Sequence, residues 1–331
     1  VPFELVPVGT DINFLGQRRI CIAISVVLIT LGLIFASVNG VKTGIDFAGG
    51  TEVQLLFPEG SSVDESVLRD ISRGAGFLDA TVVRFGDVGA SEFLIKFKDA
   101  SGVVAETEEG TDGLAANTRV VQLEAAIRGT LGEFIEQRVE YVGPKVGAEL
   151  REDGAKALLY SAIAILMYVT FRFNSRFAPG AVVAVVHDLA ITAGILVILG
   201  QEFDLRILAA MLAILGYSLN DTIIIYDRIR ENMELRTTAD LETVLNTSVN
   251  QTLSRTVLTS ITTVLALLSL FFLGGEVIQP FAKTMLIGVL VGTYSSIFIA
   301  SPLLLFLETR YGGGGRGPTE KGPGINKAVR A

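Results

Sequence analysis

GYSLNDTIIIYDRIREN, Gly216–Asn232, decides how this chain is read. Its first half completes a long apolar run, and Asp221 lies inside that run with no lysine or arginine beside it. Its second half, Asp227-Arg228-Ile229-Arg230-Glu231, turns abruptly charged, as a chain does on leaving lipid. A carboxylate within a membrane span costs roughly 2.5–3.5 kcal/mol on insertion scales, so its presence needs a reason. One reason is a hydrogen bond between helices. The other, which the reading favours, is a carboxyl that takes up and releases protons.

Composition agrees with a membrane setting. Half of the 331 residues are apolar and the mean hydropathy is +0.53, which describes a polytopic membrane protein rather than a soluble globule. The single cysteine, Cys21, sits in the first apolar run and can form no internal disulfide. The net charge of −8 is unevenly spread. Asn39–Gly154 holds 21 acidic and 11 basic residues, and the remainder holds 14 and 16. The acidity therefore belongs to one domain, a poor match for nucleic acid, which is bound through basic patches.

Outward from Asp221, the apolar runs predict six spans: Ile20–Val38, Ala155–Phe171, Ala178–Gly200, Ile207–Tyr226, Thr256–Leu273 and Phe281–Leu307. The first exceeds the roughly 7–15 residues of a signal-peptide core, so it reads as an uncleaved span. Residues 1–19 form a polar N-terminal segment ending in Arg18-Arg19, and 311–331 a Gly-rich, polar tail expected to be disordered. The chain begins at Val1, which leaves open a processed chain, a trimmed one, or the second half of a fused polypeptide. Arg18, Arg19, Arg172, Arg176, Arg228, Arg230, Arg236, Arg255 and Arg310 cluster at one set of span ends. The positive-inside rule then puts both termini in the cytoplasm and the domain 39–154 outside. Within the link 227–254, Leu241, Val244, Leu245, Val249 and Leu253 share one helical face, predicting an amphipathic segment along the membrane surface.

The domain 39–154 alternates between periods. Strands are expected at Glu52–Phe57, Asp79–Phe85, Glu92–Phe97 and Arg138–Val142. Helices are expected at Ser61–Gly74, facing inward through Val63, Val67, Leu68 and Ile71, and at Thr118–Leu131, through Val121, Leu123, Ile127 and Leu131. That order, βαββαβ, predicts a ferredoxin-like α+β sandwich between the first and second spans. Asp99–Asn117, rich in Gly, Ala and acids, reads as a loop. The domain opens with GIDFAGGTEVQLLF, Gly44–Phe57, a turn feeding an edge strand, with no chemistry assigned to Asp46. It shows no His/Cys cluster, phosphate loop or nucleophile–base pair, so neither a metal nor another cofactor is expected.

Three ionisable residues lie well inside the predicted spans: His187, Asp188 and Asp221. His187 is the only histidine, and zinc wants three or four ligands, so no metal site follows. His187 and Asp188 point about 100° apart on a helix and cannot face one partner. For Asp188 an interhelical hydrogen bond and a proton-relay role stay equally open. An intramembrane aspartyl protease is disfavoured, because its Gly-x-Gly-Asp sequence is absent.

Several of these stretches resemble SecF proteins, of the SecD/SecF family of bacterial protein-export membrane proteins in the RND superfamily of proton-driven transporters. Asp46, Phe47, Gly49, Gly50 and Thr51 match the Asp-Phe-x-Gly-Gly-Thr signature after the first span. VGPKVGAELREDGAKALL, Val142–Leu159, resembles the segment before the second span, and RFNSRFAPGAVVAVVHDLAIT, Arg172–Thr192, carries the family's His-Asp pair. The stretch around Asp221 is similar to the fourth span, and NQTLSRTVLTS, Asn250–Ser260, to the start of the fifth. The resemblance implies that Asp221 and Arg255 are the polar pair associated with proton passage, with Asp188 and His187 as lesser candidates. It implies SecD, separate or fused, the Sec channel and a translocating polypeptide as partners, and the bacterial inner membrane as location. A proton-coupled exporter of small molecules or lipids, and a non-transporting assembly factor, are the alternatives. Single cysteines at Ser101 and Ser175 are expected to react with a membrane-impermeant reagent from opposite sides; labelling of both from one side would refute the topology.

Overall fold

In the computed structural model, residues 7, 9–58, 61, 63–85, 91–98, 112–173, 177–235 and 239–311 are described. Arg176, Arg236, Ser101, Ser175, most of the expected loop (99–111) and the tail 312–331 lie outside them. Among the described residues, six helices are long and apolar enough to cross a membrane. They comprise α1 (Arg18–Asn39), α5 (Pro144–Arg172), α6 (Ala178–Ile198), α7 (Leu205–Leu235), α8 (Leu241–Leu273) and a sixth spanning Val277–Arg310. The sixth is α9 (Gly275–Ser295), a π turn at Ser296–Ala300, and α10 (Ser301–Tyr311).

Between α1 and α5 lie α2 (Ile45–Ala48), β1 (Gly50–Leu56), α3 (Glu65–Gly74), β2 (Thr81–Phe85), β3 (Glu92–Phe97), α4 (Asp112–Leu131) and β4 (Ile135–Val142). The four strands form one antiparallel sheet in the order β2-β3-β1-β4. Alternation along β1 and β3 sends Val53, Leu55, Phe93, Ile95 and Phe97 to one face, where they meet Leu68 of α3 and Val120, Leu123 and Ile127 of α4. The expected inward residues Leu68, Leu123 and Ile127 are buried, and two positions depart from expectation. Val67 and Val121 are exposed, because the residues beside them, Leu68 and Val120, hold the inward positions. Strand β1 is interior rather than an edge, and α4 begins at Asp112, inside the stretch expected to be loop.

The opposite face of the sheet is polar and stands over the link from α6 to α7. Lys96 reaches Glu52 at 3.4 Å and Glu202 of that link at 3.3 Å. Burial holds the Glu52 carboxyl above the usual carboxylate range, against the pull of Lys96. Three hydrogen bonds knit the domain's entry to the same link: Gly44 N to Phe203 O at 2.8 Å, Phe203 N to Lys42 O at 2.8 Å, and Leu205 N to Asp46 Oδ2 at 2.9 Å. Asp46 therefore caps the first turn of α7, a role the sequence reading had not given it. Gly49, at φ 74°, would bring a Cβ within 2.8 Å of Pro144 Cα, so the start of α5 seats on Gly49.

In the bundle, α1 and α6 touch at Gly32 and Gly194, where a Cβ on Gly32 would lie 2.7 Å from the Gly194 Cα. Such small-residue contacts let helix backbones approach without a hydrophobic drive between them. The helices that carry the fourth and fifth spans, α7 and α8, run well past the expected span ends, and the link between them is short. Residues 241–254 belong to α8 itself and do not form a separate helix on the membrane surface. On their apolar face, Leu245, Val249 and Leu253 are buried in one cluster with Ile229, Tyr226 and Leu15, and Val244 is buried as well. Asp240 starts α8 as its N-cap, accepting from Glu242 N at 2.9 Å and from Thr243. Asn246 and Asn250 then bind the backbone of Phe14 and Ile12, each at 2.9 Å. The N-terminal segment thus covers the start of α8.

One carboxyl of the sheet domain stands apart. Glu124 on α4 is pushed up to about 7, by burial first and by the neighbouring Glu136 carboxyl second, against Arg128. A carboxyl raised in the folded state contributes stability in full below its unfolded pKa and loses it as pH rises through about 7. Amide protection of α4, corrected for intrinsic exchange, is expected to fall on the order of tenfold between about pH 5 and pH 8. Glu124→Gln should abolish the difference; a difference unchanged in Glu124→Gln would assign it to another group.

Candidate functional site

Asp221 lies in the middle of α7, 2% exposed, packed among its own helix and its neighbours. Asp221 to Leu235, and Leu241 to Arg255, are the same number of residues, fourteen. At about 1.5 Å per residue, both side chains stand about 21 Å from the turn between α7 and α8. The antiparallel hairpin thus puts a carboxylate and a guanidinium at one height, although 34 residues separate them in sequence. Arg255 is the oppositely charged group that acts electrostatically on Asp221, yet the two form no direct ion pair. Oδ2 of Asp221 has no hydrogen-bond partner among the described residues. Arg255 itself is exposed, as is Asn220, so Asn220 turns away from Asp221 and to the bundle surface. Thr256, one residue beyond Arg255, is buried with its own Oγ1 unpartnered. An exposed arginine this far along a membrane helix needs another polar surface, water or headgroups to receive it.

His187 and Asp188 present the contrasting case. Both are buried, at 7% and 1% exposure. His187 Nδ1 and Asp188 Oδ1 are 2.9 Å apart, and His187 Nε2 lies 2.9 Å from Ser25 Oγ on α1. The other oxygen of Asp188 accepts from Ser218 Oγ on α7 and from Ser295 Oγ at the end of α9, the latter at 2.8 Å. The adjacent side chains do face different helices, and they also bond each other. Tyr294 stacks beside the His187 ring at 6.2 Å and donates to Cys21 O at 2.6 Å. A second hydroxyl pair, Ser260 and Thr293 at 2.7 Å, joins α8 to α9.

Ser260 belongs to the run of hydroxyls after Arg255 that the sequence offers for bonding helices, whereas Ser25, Ser218 and Ser295 were not singled out. The available signal was spacing: Ser218 precedes Asp221 by three residues and so shares its side of α7. Ser295 gave no such signal, because its partner is 107 residues away. Tyr226 was likewise read only as the end of a span. It is fully buried, and its hydroxyl donates to Ala300 O at 3.1 Å, within the π turn where the helical ladder is disturbed. Phe177 and Phe173 set their edges against its ring at 5.3 and 6.1 Å.

The signature residues Asp46, Phe47, Gly49, Gly50 and Thr51 lie at the junction of sheet and bundle, remote in sequence from the intramembrane polar groups. Among the described residues, no group of three or more His, Cys, Asp or Glu side chains is placed to hold a metal ion.

The family model described as "Protein export membrane protein SecD/SecF, C-terminal" matches residues 122–310. The chain is 45% identical over 302 residues to the Protein translocase subunit SecF of Magnetococcus marinus, covering 91% of this chain and 93% of that protein. It is 41% identical over 303 residues to the subunit of the same name from Pseudomonas aeruginosa, covering 92% and 93%. Among solved structures, it is similar to SecDF from Thermus, described as a translocon-associated membrane protein, with a TM-score of 0.79 and 37% identity. That match covers 93% of this chain but 40% of the SecDF chain, so the present sequence corresponds to less than half of that polypeptide. With 40% or more identity to proteins matched nearly end to end, the chain belongs to the SecF family of protein translocase subunits, within the SecD/SecF protein-export membrane proteins.

Proposed function

We propose that this protein acts with SecD, as a separate subunit or a fused half, to assist movement of polypeptides through the Sec channel at the expense of the proton gradient. Its setting is the bacterial inner membrane, with both termini cytoplasmic and the domain 39–154 outside as a ferredoxin-like module. The observation that carries the proton step is the contrast between two buried aspartates. Asp188 is held by its neighbour His187 and by Ser218 and Ser295 on two other helices, so a change in it would disturb contacts to both. Asp221 has an oxygen without a partner, and an arginine level with it but not bonded to it.

An arginine that closes on a carboxylate in one conformation and withdraws in another gives that carboxylate two proton affinities. Differential proton binding between two conformations is the minimum a proton-coupled motion needs. The drive is adequate, since one charge crossing the membrane gains about 2.3 kcal/mol per 100 mV. In this reading Asp221 and Arg255 are the relay, and His187 and Asp188 brace the helices around it. The hydrogen bond from Leu205 N to Asp46 supplies a mechanical route from α7 to the outer domain. The exposed Arg255 and Asn220 suit an interface with SecD, whose polar groups would complete the path.

Asp221→Asn preserves size and hydrogen bonding but cannot titrate. In vesicles containing the translocation machinery at matched expression, it is expected to insert normally and lose the gradient-dependent part of export altogether. Asp221→Glu should keep part of it. Arg255→Lys, which keeps a charge without the planar fork, should be partly defective. Normal gradient stimulation in Asp221→Asn would remove the relay and leave Asp221 as a helix contact. Purification in mild detergent should also recover a SecD-like subunit where the two are separate chains; an active preparation of this chain alone would count against the shared interface.

A further inference from the structure

A cleft of about 650 Å³ opens on the side of the bundle between α1, α6 and the segment from Ile299 to Phe306. That size falls within the roughly 300–1,000 Å³ usual for small-molecule sites. Its walls are apolar, built from Ile22, Val26 and Ile29 of α1 facing Val183 and Val186 of α6, with Phe306 beside them. Arg18 and Arg19 stand at one end, and the bonded pair Ser25 and His187 also lines it. From Arg19 to Ile29 is ten residues of helix, about 15 Å, or half of a hydrocarbon core of about 30 Å. The slot therefore runs the depth of a single leaflet, with its cations at headgroup level.

The two arginines differ. Arg18 is committed to Glu242 at 2.6 Å, whereas Arg19 is exposed and forms no ion pair among the described residues. An apolar slot alone would accept any acyl chain. A free guanidinium at its mouth selects a negative headgroup, as basic side chains beside a membrane do. We infer that this cleft is a binding site for one anionic glycerophospholipid, its phosphate and headgroup on Arg19 and one acyl chain along α1 and α6. The bound chain lies over Ser25 and His187 and separates that pair from the surrounding lipid. This inference does not depend on the proton step.

The chain contains no tryptophan, so an introduced one reports on its own surroundings. Phe306→Trp puts an indole in the cleft wall, and Tyr160→Trp puts one on the exposed face of α5, away from it. The full chain is reconstituted in phosphatidylcholine vesicles with rising fractions of brominated phosphatidylglycerol or brominated phosphatidylcholine. Quenching at position 306 is expected to favour phosphatidylglycerol by about fivefold, the factor one basic side chain supplies at such a surface. At position 160 the two lipids should quench alike. Arg19→Ala in the Phe306→Trp background should erase the preference, and Arg19→Lys should keep it. Equal quenching by both lipids at position 306, or a preference that survives Arg19→Ala, would overturn the site and leave ordinary annular contact. Native mass spectrometry of the unsubstituted chain gives an independent reading. Retained phosphatidylglycerol, but not phosphatidylcholine, that is lost in Arg19→Ala supports the site; equal retention of both refutes it.

Discussion

The Asp188 carboxylate is the node on which the bundle depends. Lipid offers no hydrogen bonds, so a polar group buried among membrane helices must find its partners within the protein. Asp188 finds them on α7 and α9, and through His187 the same network reaches Ser25 of α1. Four helices from distant parts of the sequence are thereby fixed in azimuth and height. Close glycine contacts, as between Gly32 and Gly194, bring α1 and α6 together, but dispersion between smooth helices does not fix their register. Directional bonds do. Interhelical hydrogen bonds in membranes contribute modestly one at a time, on the order of 0.6 kcal/mol on average, so their weight here lies in specifying one arrangement.

Asp221 departs from that rule one turn further along α7 than Ser218. A partnerless oxygen in a buried carboxylate is a cost that the fold tolerates at one position and avoids at the neighbouring one. Natural proteins keep such local conflicts mostly at functional sites. The same helix therefore carries a braced polar contact and an unbraced one. The braced contact gives the helices a fixed frame, and under the proposed function the unbraced group changes partners within it.

The sheet domain is tied to this frame more closely than a long insertion between two spans would suggest. Its first strand follows directly from the turn that caps α7, and its last leads through Gly143 into α5. The polar face of the sheet rests on the link between α6 and α7 through Lys96 and Glu202. Sheet and bundle thus share α7 as a common support, and Gly49 lets the domain's entry lie close against the start of α5.

Local chemistry was enough for much of this. Runs of apolar residues long enough for the bilayer fixed the number of spans, and the change of period from 3.6 to 2 located the strands and helices of the sheet domain. A charge inside a span exposed Asp221, His187 and Asp188 as exceptions. What only the tertiary structure decided was every relation between distant residues. Helix ends at 235 and 241 were not legible, because a charged amphipathic helix and the continuation of a span carry similar patterns; burial of Leu245 and Val249 against Tyr226 joined the two. The inward register of α3 and α4 turned on single positions, Leu68 over Val67 and Val120 over Val121, which packing against the sheet selects. Ser25, Ser218 and Ser295 look unremarked in a membrane sequence, where small hydroxyl residues are common, and become meaningful only when folding brings Ser218 and Ser295 to the Asp188 carboxylate and Ser25 to His187. The separation of Asp188 from Asp221 in character has the same origin: a sequence shows which groups lipid will not solvate, and only the fold shows which of them the protein solvates instead.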